Sequence, residues 1–121
     1  MKQKSKTTDC ELIIAKSCGR LIGIDVNKIL GVTEKTDIFQ IPQLKPPLLG
    51  LGKYLNKVLA VVDTGLFCGL RRTEKHQITK WIITETNNGL SAFAVDEVIG
   101  IKKVILKGRN SKKKIVKNNF E

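Results

Sequence analysis

Leu48-Leu49-Gly50-Leu51-Gly52-Lys53-Tyr54-Leu55-Asn56-Lys57-Val58-Leu59-Ala60-Val61-Val62-Asp63 reads as two apolar strands joined by a tight turn. Asn56-Lys57 is the expected turn, because asparagine tolerates the left-handed backbone that a two-residue hairpin loop needs. The second strand, Val58 to Asp63, is apolar on both faces, so it should be covered on both sides. Thr64 to Leu70 fits one short helical turn. Upstream, Glu34 to Pro47 carries all three prolines, Pro42, Pro46 and Pro47. Proline removes amide donors and fixes φ, so this stretch should run as an extended connection and not as a central strand.

The same kind of punctuation extends in both directions. Glu11 to Ala15 reads as a strand, Ser17 to Arg20 as a turn and Leu21 to Ile24 as the returning strand. Asp25 should cap a helical turn from Val26 to Leu30. Downstream, Arg71 to His76 is a polar loop and Gln77 to Thr86 a strand centred on Trp81. Asn87-Asn88-Gly89 is a hairpin turn, and Leu90 to Val95 is its second strand. Val98 to Ile101 and Val104 to Leu106 read as two further short strands. About eight short strands and no long helix predict an all-β barrel or a pair of small barrels. Ile, Leu and Val dominate the apolar set, which suits sheets.

A chain of 121 residues suits a single domain. Its net charge of +11 is concentrated at the ends. Residues 1–6 carry +3, residues 102–121 carry +7, and residues 7–101 carry only +1. The expected organisation is a disordered basic tail over 1–9, a folded domain over 10–107 and a basic C-terminal tail over 108–121. A nucleic-acid-binding arm usually interleaves aromatics with its cations, and Phe120 is the single aromatic of the C-terminal run. Cys10, Cys18 and Cys68 are an odd set without a CxxC pair, which predicts free thiols in a reducing cytoplasm. Thr7-Thr8-Asp9 follow the basic start where a signal peptide would be apolar, and no apolar run approaches the ~20 residues of a membrane helix. Neither secretion nor membrane insertion is expected.

The motifs of catalysis are missing from the sequence. His76 is the only histidine and lies in a polar loop with no ligand-type neighbours at metal spacing. The glycines form neither a GxGxxG nor a GxxxxGK run. Cys68 has no nearby histidine to activate it. Asp63, and Asp96 with Glu97, stand at strand ends, where carboxylates are expected to accept amide bonds from the next turn. No enzyme, cofactor or metal centre is expected.

The order of these segments resembles the CheW-like domain family of bacterial chemotaxis signalling. Leu48-Leu49-Gly50-Leu51, a turn and Val58 to Asp63 are similar to the family's central signature, with Leu66 to Leu70 matching the Leu-Gly segment that follows. Gly23-Ile24-Asp25-Val26-Asn27-Lys28-Ile29-Leu30-Gly31-Val32 resembles its first strand and turn, and Phe93-Ala94-Val95-Asp96-Glu97-Val98-Ile99-Gly100 its Val-Asp-Glu-Val segment. The likeness runs over about residues 10–106. It implies two small SH3-like five-stranded barrels side by side. Two departures stand out. Leu55 occupies the signature's arginine position and offers no guanidinium fork. The chain also continues only briefly past the Val-Asp-Glu-Val segment, so the first barrel is expected to be incomplete, closed by the basic tail or completed by a second chain.

The resemblance implies a cytoplasmic, non-catalytic adaptor of a two-component system, joining a CheA-like histidine kinase to a chemoreceptor-like protein. The expected partner-binding residues are Lys53, Tyr54, Leu55, Asn56, Lys57 and Val58, at the seam between the barrels, with Tyr54 as an anchor. Gly50, Asp63 and Asp96 are expected to serve turns and caps. The alternatives are a small basic β-barrel that binds nucleic acid through its tails, and a homotypic assembly module joined through an open barrel edge.

Overall fold

The computed structural model describes residues 7–87, 89–107 and 115–117. The described residues are mainly β with one short helix, as the turn spacing predicts. β1 (Thr7–Ser17) and β2 (Arg20–Asp25) form a hairpin, and a 3-10 turn (Val26–Lys28) leads to β3 (Ile29–Glu34). β4 (Leu48–Tyr54) and β5 (Lys57–Asp63) form the second hairpin, followed by α1 (Thr64–Phe67). β6 (Lys80–Thr86), β7 (Gly89–Val95), β8 (Glu97–Lys107) and β9 (Ile115–Lys117) follow.

Two sheets result, ordered β8-β1-β2-β9 and β3-β6-β7-β5-β4. The second closes on itself. Its edges are β3 and β4, and the chain leaving β3 crosses to β4, where Phe39 and Leu51 exchange backbone hydrogen bonds of 2.8 and 3.0 Å. Tyr54 reinforces the closure from the other end: its phenol lies over Gly31 of β3, where a Cβ would come within 2.7 Å of the hydroxyl. This small barrel is filled by Leu59, Val61, Trp81, Ile83, Ala92 and Ala94. A second cluster joins the sheets, with Ile13, Ala15, Ile22 and Ile24 from the first packed on Ile82 and Val95 from the second. Burying such aliphatics contributes about 1.5–3 kcal/mol each before entropy is counted.

Several expectations are corrected. β1 begins at Thr7, inside the stretch expected to be a tail, because Thr7, Thr8 and Asp9 pair with Lys107, Leu106 and Ile105; residues 1–6 lie outside the described residues. The strands expected at Val98–Ile101 and Val104–Leu106 are one strand, β8, with an irregularity against β1 at Ile14/Ala15. Within the expected C-terminal tail, Ile115–Lys117 pairs with Ile22–Ile24 of β2, and the rest of 108–121 lies outside the described residues. The hairpin turn is Leu55-Asn56 and not Asn56-Lys57. Packing decides that register. With Gly52 opposite Leu59 and Tyr54 opposite Lys57, Leu59 and the Tyr54 ring point into the barrel; a one-residue slip would turn them out.

Candidate functional site

Three segments meet where the sheets join, and Arg72 holds them together. Its Nε donates to Asp63 Oδ2 at 2.7 Å, one Nη to Asp63 Oδ1 at 3.0 Å, and the other to Asp96 Oδ1 at 3.0 Å. Asp63 ends β5 and also N-caps α1 by accepting from the Leu66 amide at 3.2 Å. Asp96 lies between β7 and β8, and its Oδ2 accepts from the Cys18 amide at 3.2 Å, in the β1–β2 turn. Asp63 is thus the cap its sequence position suggests, whereas Asp96 serves a turn 78 residues away and not the one that follows it. The Asp63 side chain is 2 % exposed and that of Arg72 20 %. The hydrogen bonds that Arg72 donates to Asp63 hold the guanidinium above its usual pKa, so the arginine stays charged. Bidentate pairing of this kind fixes geometry as well as charge.

An open groove of about 750 Å³ reaches Phe67, the last residue of α1. Ile24, Leu30, Phe67 of α1 and Phe93 of β7 are its apolar lining. The two rings meet edge to face at 5.7 Å. Asp25, Lys28 and Glu85 stand on the rim. Leu30 is 52 % and Phe67 53 % exposed, so the groove leaves large apolar surface in water. Asp63 of the clasp caps the short helix that carries Phe67.

The expected partner-binding residues lie elsewhere. Lys53 to Val58 form the tip of the β4–β5 hairpin, and none belongs to the cluster that joins the sheets. Asp63, at the seam, ends the same strand that Lys57 begins, about 20 Å away at 3.3 Å per residue. The hairpin is therefore a distal tip and not the seam. Tyr54 is half-buried against the barrel core, so it closes the barrel and is not a free anchor. Leu55 and Val58 are the exposed apolar groups, at 76 % and 62 %. Leu55 also sits at φ +50 and Asn56 at +67. Asparagine accepts that region; a leucine there is strained. Leu55→Asn should therefore raise stability by about 0.5–1 kcal/mol, read as a higher Tm in a thermal melt. An unchanged or lower Tm would show that the turn carries no such strain.

Gly50 is not a turn residue. It lies within β4 at φ +148, where a Cβ would meet Ile38 and the Phe39 carbonyl at 2.5 Å. Its bare Cα lets the closing segment approach. His76 accepts from the Thr73 amide through Nδ1 at 3.1 Å, within its own loop. Cys10, Cys18 and Cys68 form no disulfide, and burial pushes the Cys18 thiol above its ordinary pKa. Among the described residues no group of three or more His, Cys, Asp or Glu could hold a metal ion, and no helix is long and apolar enough to cross a membrane. The edge considered for homotypic assembly belongs to β8, which is last in its sheet and exposes Ile99, Ile101 and Ile105. Sequence reasoning missed Arg72, Leu30, Phe39 and Phe67. For Arg72 a signal existed: two strand-end acids flank a loop carrying Arg71-Arg72 in a nearly neutral body.

Comparison with known proteins fits this architecture. In structure the chain is similar to the scaffolding protein TtCheW from Thermoanaerobacter tengcongensis, at TM-score 0.70 and 20 % identity, over 86 % of this chain and 69 % of that one. At that identity the likeness speaks to the fold. No protein of curated function matches the sequence. The family model of the CheW-like domain matches residues 11–114. With that match spanning most of the sequence, from β1 past the end of β8, the chain belongs to the CheW-like domain family.

Proposed function

We propose that this protein is a non-catalytic scaffold of chemotaxis-type signalling that works in the cytoplasm and joins a histidine kinase to a chemoreceptor-like sensor. The observation that carries the reading is the open groove lined by Leu30 and Phe67. It presents Leu30 and Phe67 half in water, which is how a folded surface offers an apolar cleft to an amphipathic helix. Its mixed rim of Asp25, Lys28 and Glu85 would set register along such a helix and contribute little energy. TtCheW is itself described as a scaffolding protein, and membership of the same family supports the same role here.

The test is a titration of the full chain with a purified helical receptor fragment from its own cell. Leu30→Glu and Phe67→Ala should each weaken binding by more than tenfold, about 1.4 kcal/mol, with the far-UV circular dichroism unchanged. Leu30 is half in water already, so its replacement leaves the core intact. Equal affinity of both variants and the parent would remove the groove from the binding site. Failure of the parent chain to bind either receptor fragment or kinase would remove the scaffold reading itself.

A further inference from the structure

We infer that the outer face of the β4–β5 hairpin, with Phe39 laid beside it, docks a protein surface that presents apolar side chains between carboxylates. The inference rests on the scaffold reading and names the chemistry of one of its partners. Strand register defines the face. Gly52 and Leu59 point into the barrel, so their neighbours Leu51, Lys53, Val58 and Ala60 point outward. Phe39 bridges Leu51 and therefore shares its side. The burial pattern agrees, with Leu59 buried, Leu51 and Ala60 half-buried and Lys53 and Val58 exposed. Phe39 at 65 % exposure, Val58 at 62 % and Leu55 at 76 % make this an apolar strip in water.

Charge identifies the occupant. From Ile38 to Val62 the chain holds three lysines and no acidic residue. Lys53 lies directly across from Val58, and neither it nor Lys57 has an ion-pair partner among the described residues. A second copy of the chain would set lysine against lysine, whereas a carboxylate rim would neutralise both. The strained Leu55 fits the same purpose, because the turn holds an apolar knob at the tip at a cost in stability that solvent does not repay.

The full chain is titrated calorimetrically with the purified histidine kinase of its own cell, and separately with the receptor fragment, at about 50 and about 300 mM NaCl. For one of the two, Val58→Asp should weaken binding at least tenfold. The pair Lys53→Glu and Lys57→Glu should do the same and abolish the loss of affinity with salt. Val58→Thr, which keeps the shape, should stay within threefold of the parent. If Val58→Asp and the double charge reversal bind both partners like the parent, the face is not a docking site, and the scaffold reading stands on its groove variants. If the parent binds neither partner, both the reading and this inference fall.

Discussion

Replacing Arg72 with alanine is expected to lower the unfolding free energy by about 3 kcal/mol, a fall in Tm of about 10–15 °C. The size follows from what is left behind. Asp63 is 1 % exposed, and without the guanidinium its carboxylate has only the Leu66 amide as a partner. Removing one member of a buried pair typically costs 3–5 kcal/mol, because the other stays charged in a poorly solvating site. Arg72 is one-fifth exposed and Asp96 has some access to water, which puts the estimate at the lower end. The cause can be separated from simple loss of packing. If the stranded charge is responsible, Asp63→Asn should cost clearly less in the Arg72→Ala background than in the parent. Arg72→Lys should recover less than half the loss, since a single ammonium cannot bridge Asp63 and Asp96 in the geometry a planar fork allows. Chemical denaturation of the four variants gives all these values. A loss below about 1 kcal/mol for Arg72→Ala would mean that the aliphatic cluster alone holds the sheets together.

The same clasp illustrates where sequence reading stops. Asp63 and Asp96 are visible in the sequence as strand-end acids, and the capping role of Asp63 follows from its place before Thr64. That both turn toward one guanidinium is a tertiary fact, set by a loop whose only local signals are polarity and two arginines. Hairpins were legible because local chemistry dictates them: Gly19, Asn56 and Gly89 each supply a positive φ where a chain reverses. The one-residue error at Leu55 arose because residue preference favours asparagine first in the loop, while the burial of Tyr54 and Leu59 outweighs that preference. The continuity of β8 was hidden by Lys102 and Lys103, which look like a break in an apolar pattern but extend outward from a strand paired to β1 along most of its length. The groove was not legible at all. Leu30 and Phe67 are 37 positions apart, and nothing local marks either as exposed.

Gly52→Ala is the second large effect expected, and it tests the closed barrel that carries the hairpin. A Cβ at position 52 would lie 2.7 and 2.8 Å from the Trp81 ring and 3.1 Å from a Val61 methyl. Both neighbours are fully buried, so neither can swing aside into solvent. Overpacking of a filled core costs about 1–3 kcal/mol, and with an indole as the obstacle the upper figure of about 3 is expected. The emission of Trp81, the only tryptophan, should shift to the red as the ring is forced toward the barrel mouth. A compensating change identifies the mechanism. Trp81→Phe removes the ring atoms that Gly52 meets, together with an indole N–H that has no hydrogen-bond partner. Alone it leaves a cavity and should cost about 2 kcal/mol. Combined with Gly52→Ala, the methyl group occupies part of that cavity, and the double variant should be more stable than Gly52→Ala alone. A double variant whose loss equals the sum of the single losses would show that position 52 is sensitive for a reason other than the ring across the barrel. The outcome also bears on binding, because Gly52 and Lys53 are adjacent on β4. If Gly52→Ala unseats Trp81, the outer strip from Phe39 to Val58 should lose its register, and partner affinity should fall with stability and return with it in the double variant.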